Sequence, residues 1–191
     1  MKAMLSRFRN VAVLFSLVVG LTACGFHLRE NVPLPPSMKR VHVNVSGGGD
    51  FRRMLVRGLR SSGAEVEEKG GVGIAELNVP VALFSTDALS FGGAAQVTEY
   101  AVHFNVQFSV TGPDGTPVVG MQHILMTREY SYDITNSIGN ASQVQGIQSS
   151  LIDDMVQSIL FRLQAATKHP EQAKRVDPSA VPPPPPSNDM P

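Results

Sequence analysis

The sequence predicts an α+β fold: a two-layer sandwich in which a four-stranded mixed sheet carries two helices on one face, in the order β-α-β-β-β-α. Three observations predict it. Tyr100, Val102, Phe104, Val106, Phe108 and Val110 alternate with Ala101, His103, Asn105, Gln107 and Ser109, the period-two pattern of a strand buried on one side. Phe51, Met54, Leu55, Gly58 and Leu59 recur at helical spacing. So do Val144, Ile147, Leu151, Met155, Ile159 and Leu163, which gives each helix one apolar stripe. A one-sided sheet and two one-sided helices bury those sides against each other, in two layers.

The chain opens on an export signal. Lys2, Arg7 and Arg9 make a positive start, no acidic residue precedes Glu30, and Val11–Val19 is apolar apart from Ser16. That run is about half of the ~20 residues a membrane span needs, so residues 1–23 are expected to be a removed signal peptide. The signal ends in Leu21-Thr22-Ala23-Cys24. Small side chains precede the cut, and the thiol of the chain's one cysteine accepts a diacylglyceryl group. The freed amine takes a third acyl chain. Each buried methylene contributes about 0.8 kcal/mol, and two or more chains hold stably where one does not. Cys24 is therefore the expected lipid anchor, and no thiol is left for a disulfide. Gly25 stands where an Asp would signal retention in the inner membrane, so the expected address is the outer membrane, on its periplasmic face. Residues 24–38 read as a tether, because Pro33, Pro35 and Pro36 deny a helix.

The domain is expected over 39–168. Val41, Val43 and Val45 alternate with His42 and Asn44 as a first strand. Asp50 is the expected N-cap of the first helix, and Gly63 its C′ residue. Gly70–Gly73 precedes a strand and not a helix, so it is a turn rather than a phosphate cradle. Leu77, Val79, Val81 and Leu83 alternate in a second strand, where Pro80, lacking a donor, marks an edge or a bulge. A loop is expected over Ser85–Ala95. After the strand at Tyr100–Val110, Gly112-Pro113-Asp114-Gly115 makes a hairpin turn. In the fourth strand, Val118–Tyr132, the residues Met121, Ile124, Leu125 and Met126 put apolar groups on both faces. That pattern means a bulge or cover on both sides. Ser142, with Gln145 three residues on as in a capping box, is the expected start of the long second helix. His169-Pro170 is its stop. Residues 169–191, with Pro182–Pro186, are the expected disordered tail. The helical crossover between the first two strands is right-handed if they run parallel.

Composition narrows the function. Sixteen Lys and Arg balance 16 Asp and Glu, and loss of the three basic residues of the signal leaves the mature chain acidic by three. That is no footprint for nucleic acid. His27, His42, His103, His123 and His169 share no metal-ligand spacing on a helix, so no metal or other cofactor is expected. Asp153 and Asp154 are adjacent, and on a helix their side chains diverge by about 100°, unlike a paired acid and base. Ser90 lacks the flanking glycines of a nucleophile elbow. No catalytic residue is assigned.

Four stretches occur in order between Cys24 and about Ala166. They are Cys24-Gly25-Phe26-His27-Leu28-Arg29, Pro35-Pro36-Ser37-Met38-Lys39 at the first strand, Gln96-Val97-Thr98-Glu99-Tyr100 at the third, and Ile159–Leu163 near the end of the second helix. Together they resemble the LPS-assembly lipoprotein LptE family. The resemblance implies a lipoprotein at the periplasmic face of the outer membrane. It would partner the LptD β-barrel, sit as a plug in its lumen, assist barrel assembly and bind lipopolysaccharide. Barrel lumens are polar, and the neutral polar face of the third strand suits such a wall. Lipid A phosphates call for cations. Family members can carry one in the loop before the third strand and one at the start of the second helix. The matching stretches here read Phe91-Gly92-Gly93-Ala94 and Gly139-Asn140-Ala141. The candidates for lipopolysaccharide binding are therefore Arg52, Arg53, Arg57, Arg60 and Arg128, the first four of which read more readily as a solvated helix face.

Two rival readings stay open. A lipid-anchored adaptor or activator of another envelope complex, such as a cell-wall synthase, needs a spacer between anchor and domain, whereas the longest Pro-rich run here is C-terminal. A periplasmic hydrolase would gather His103 or His123 with an acid and a Ser in one pocket.

Overall fold

The computed structural model describes residues 33–93 and 96–180. The expected signal peptide, the expected anchor Cys24 and the expected tether as far as residue 32 lie outside the described residues, as do residues 94 and 95 and the residues from 181. Five strands, β1 (Arg40–Val45), β2 (Glu65–Glu67), β3 (Ala75–Phe91), β4 (Val97–Thr111) and β5 (Pro117–Ser131), form one sheet in the order β2-β1-β3-β4-β5. Helices α1 (Gly49–Ser61) and α2 (Ser137–Lys168) cover one face, and a short α3 (Pro170–Ala173) follows. The class is the expected two-layer α+β sandwich. The strand count is five rather than four, because Glu65-Val66-Glu67 pairs parallel to β1. β1 also runs parallel to β3, the condition under which its helical crossover is right-handed.

The two anomalies noted in the strands are bulges. The β3–β4 register shifts between Asn78 and Val81, which places Pro80 where a missing donor costs no ladder bond. The β4–β5 register shifts between Phe108 and Val110. Val119 and Ile124, of opposite parity, therefore both point into the core, at 3% and 6% exposure. Gly63 has φ 89° and sits at C′ of α1, with Gly63 N–H donating to Arg60 O and Ala64 N–H to Leu59 O. That paired pattern closes a helix C-terminus with glycine in the left-handed region.

Four boundaries differ from expectation. Gly48, at φ 58°, and not Asp50, is the N-cap of α1; Asp50 lies in the first turn and pairs with Arg53. β3 runs on to Phe91 through the expected loop, because β4 pairs with it as far as Val97. α2 begins at Ser137, five residues before Ser142, since the Asn136 side chain accepts from Gly139 N–H at 2.9 Å. The expected tether and tail also contribute to the packed domain. Leu34 and Met38 are buried, and residues 174–180 pass over β5 as a strap, where Asp177 N–H donates to Met121 O and Ala180 is 3% exposed.

The core lies between the layers. Phe104 of β4 meets Phe51 of α1 edge-on, with ring centroids 5.4 Å apart, and stacks on Phe84 of β3 at 4.1 Å. Met155, Ile159 and Leu163 of α2 are fully buried against it. Removing such a side chain from a close-packed core costs roughly 2–5 kcal/mol.

Candidate functional surfaces

The helix layer presents the arginines. The apolar stripe of α1 turns Phe51, Leu55 and Leu59 inward, so Arg52, Arg53, Arg57 and Arg60 are left on its outer side, and all are exposed. Arg53 is bound by Asp50. Among the described residues Arg52, Arg57 and Arg60 make no ion pair. A cleft of about 370 Å³ between α1 and α2 is lined by Arg53, Arg57, Met54, Ile152, Asp50 and Asp153; within it Arg53 is paired with Asp50, and Arg57 makes no ion pair among the described residues. Arg128 stands apart from these. It lies on β5, and its guanidinium donates to Asp154 of α2 at 2.6 Å. The five candidates thus form one exposed row on α1 and one distant, compensated arginine.

The opposite face of the sheet is uncovered over most of its width, and cross-strand pairs run over it in rows. Ser85, His103 and Thr127 are register neighbours, as are Leu83, Asn105 and Leu125, and Val81, Gln107 and His123. His103 bridges Asp87 on β3, 3.2 Å from Nε2, and Thr127 on β5, 2.8 Å from Nδ1. His123 bridges Asn105, 2.8 Å from Nε2, and Ser179 of the strap, 3.2 Å from Nδ1. His42 lies between Glu67 and Glu76 in register. Its Nδ1 is buried without a hydrogen bond among the described residues, 3.8 Å from Glu76 Oε1.

An imidazole between a carboxylate and a hydroxyl, as at His103, has some of the parts of an acyl-transfer site. Such a site also needs free donors for the oxyanion. The amides of β4 are engaged with β3 and β5 on either side, and a hydroxyl on a flat strand face has none beside it. These histidines tie strands together. Among the described residues no group of three or more His, Cys, Asp or Glu could hold a metal. No described helix is long and apolar enough to cross a membrane.

Fold and surface define a small two-layer sandwich with one basic helix row and one largely polar open sheet face. The chain belongs to the LptE family: the family model described as lipopolysaccharide-assembly matches residues 38–163. Members of this family are assembly lipoproteins, not enzymes. The LPS-assembly lipoprotein LptE of Photorhabdus laumondii is 29% identical over 112 residues, which span 58% of this chain and 62%, less than two thirds, of that protein. The solution structure of lipoprotein B from Nitrosomonas europaea superposes with a TM-score of 0.66 at 21% identity, over 80% of this chain and 99% of that one. The crystal structure of rare lipoprotein B from Shewanella oneidensis gives 0.58 at 15% identity, over 68% and 96%. At those identities the two structures speak for the fold alone.

The sequence did not reveal the strap or the His123–Ser179 bridge. Nothing local marks them, because Ser179 is 56 residues from its partner. Gly120 is the nearest signal. It is buried beneath the strap, where a side chain would strike Lys174 O and Arg175 O.

Proposed function

We propose that this protein is an outer-membrane lipoprotein that acts with the LptD β-barrel, as its plug and assembly partner, in the insertion of lipopolysaccharide. Residues 1–23 are the signal peptide, Cys24 carries the acyl anchor, and residues 24–32 tether the domain to the periplasmic leaflet. The family match over 38–163 carries this reading. The domain's chemistry supports it. A plug must meet the polar lumen of a barrel, and the open sheet face offers polar groups already tied to one another, such as His123 with Asn105 and His103 with Asp87. Such a face can rest against a hydrated wall without stranding a buried charge.

The lipopolysaccharide contact belongs on α1. Phosphates are met by cations whose charge is not already spent, which favours Arg52, Arg57 and Arg60 over Arg53 and Arg128.

Detergent extraction of the tagged full chain tests the partnership. A large β-barrel should stay attached. Recovery of a cell-wall synthase instead would make the protein an adaptor. Mass spectrometry of the mature N-terminus tests the anchor, and an unmodified Cys24 thiol would remove it.

A further inference from the structure

The outer edge of β5 is covered over its first half and bare over its second. Successive residues of a strand turn their backbone groups to opposite sides. Tyr132 N–H, just past the end of β5, donates to Thr98 O on the β4 side. Met121 O accepts from Asp177 N–H of the strap, and His123 O accepts from the Arg162 guanidinium at 3.4 Å, both from outside the sheet. The even residues of β5 therefore bond to β4, and the odd ones face outward. The strap and Arg162 cover that edge as far as His123. Beyond it, Leu125, Thr127 and Glu129 are exposed, and among the described residues no hydrogen bond reaches their outward N–H and C=O groups. Proteins blunt free edges with prolines, bulges, inward charges or a covering segment. Leu125–Ser131 has no proline, its register with β4 is unbroken, and its inward charge, Arg128, is neutralised by Asp154. A cleft of about 520 Å³ lies along the same stretch, lined by Met126, Thr127, Arg128 and Glu129 of β5 and by Leu151 and Asp154 of α2. The bare edge thus has a helix wall beside it.

We propose that this groove takes an extended polypeptide segment of the partner as a sixth strand, bonded main chain to main chain with Leu125, Thr127 and Glu129. The inference rests on the reading that the partner is a β-barrel. An alternating row of outward donors and acceptors is the complement of an extended backbone. Leu125–Ser131 spans about 20 Å, an ordinary strand length. A closed barrel wall has no free edge to offer, so the segment is a loop or terminal stretch of the barrel and not one of its wall strands. The chain's own Pro182–Pro186 cannot supply the strand, because proline has no amide donor.

The test is hydrogen–deuterium exchange of the full-length lipoprotein, alone and in its detergent-extracted complex with LptD, read by mass spectrometry on peptides covering residues 124–131. In the isolated chain the amides of Leu125, Thr127 and Glu129 should exchange quickly, while those of Met126 and Arg128, bonded to β4, stay protected. In the complex the first three should slow by about tenfold or more. A pair of variants separates hydrogen bonding from mere cover. Leu125→Pro with Glu129→Pro deletes two outward donors at an edge, where proline is tolerated, and should retain less barrel than Leu125→Ala with Glu129→Ala, which keeps them. A barrel complex whose three amides exchange as fast as in the isolated chain overturns the strand site and leaves the partnership standing. Equal retention of the barrel by the two double variants also overturns it. Recovery of a different protein with the same three amides slowed would keep the strand site and remove the barrel, and no retained protein at all overturns both. Protection of these amides already in the isolated chain would give the edge to a second copy or to the chain itself, and overturns the proposal. If the proline variant does not fold, exchange in the unaltered chain decides alone.

Discussion

Gly58 of α1 lies directly against Leu160 of α2. A Cβ built on the glycine would come 2.9 Å from Leu160 Cδ1 and 3.0 Å from Val156 Cγ1. The absent side chain is what lets the two helices lie together over the sheet. Gly58→Leu should overpack this crossing and cost about 1–3 kcal/mol, read as a lower melting temperature. Gly58→Ala should be much milder, because it gains up to about 1 kcal/mol of helix propensity while pushing only terminal methyls. Equal melting of wild type and Gly58→Leu would mean the helices are not in contact there.

A second close approach holds the strap. At Gly120 a Cβ would meet Lys174 O at 2.5 Å and Arg175 O at 2.7 Å, both backbone atoms that cannot rotate away. Gly120→Ala should therefore lift residues 174–180 while leaving the two-layer core intact. Trypsin cuts after Lys174 and Arg175, so limited digestion should nick the variant there faster than wild type at unchanged helix content. Matching digestion rates would show that the strap does not rest on Gly120.

The strap should also respond to acid. Asp177 accepts from Ser179 Oγ at 2.7 Å and from Ser179 N–H at 3.0 Å. These bonds, the hydroxyl first, hold its carboxyl below the ordinary value of 3.8. A carboxylate depressed in the folded state stabilises that state above its unfolded pKa, and the contribution is lost as pH falls through the folded value. The turn at Asp177–Ser179 should stay closed at neutral pH and open only below 3.8. The Ser179 amide proton should shift upfield over that acid range, and Asp177→Ala should show the same shift already at neutral pH. A shift independent of pH in the wild-type chain would contradict the linkage.

Much of this fold could be read in advance, and the reasons it could are local. The Tyr100–Val110 alternation, the Gly112–Gly115 turn and Gly63 at the end of α1 are each set by neighbours in the chain. β2 was hidden because Glu65-Val66-Glu67 is too short to show a period. The outer half of β3 reads as loop, since Ser85–Ala88 are polar or small and exposed on either side of the strand. The first turns of α2 carry an 82% exposed Ile138 and no stripe, so the Asn136 cap and the paired hydrogen bonds of buried Asn140 with the Asp133 backbone define them. The arginines were legible as exposed residues, but the Asp154 partner of Arg128 lies 26 positions away. Pairing across that distance is a tertiary fact.

The last prediction separates the arginines by what already neutralises them. Arg57 and Arg60 are exposed and without ion pairs among the described residues, so the double variant Arg57→Glu, Arg60→Glu should cost about 1–2 kcal/mol of folding stability, mainly from a carboxylate placed at the C-terminus of α1 and another beside Asp50 and Asp153. Its affinity for lipopolysaccharide should fall, because two cations offered to phosphate become two anions that repel it. Arg128→Gln is the comparison. It breaks a half-exposed pair with Asp154, which costs roughly 0–1 kcal/mol, and it should leave glycolipid affinity unchanged since that guanidinium is already occupied. Titrating each purified variant with lipopolysaccharide, at two salt concentrations, reads the difference. Loss of binding in Arg128→Gln with none in the double variant would move the contact from α1 to the β5–α2 side, where Arg128, Glu129, Leu151 and Asp154 line a separate cleft.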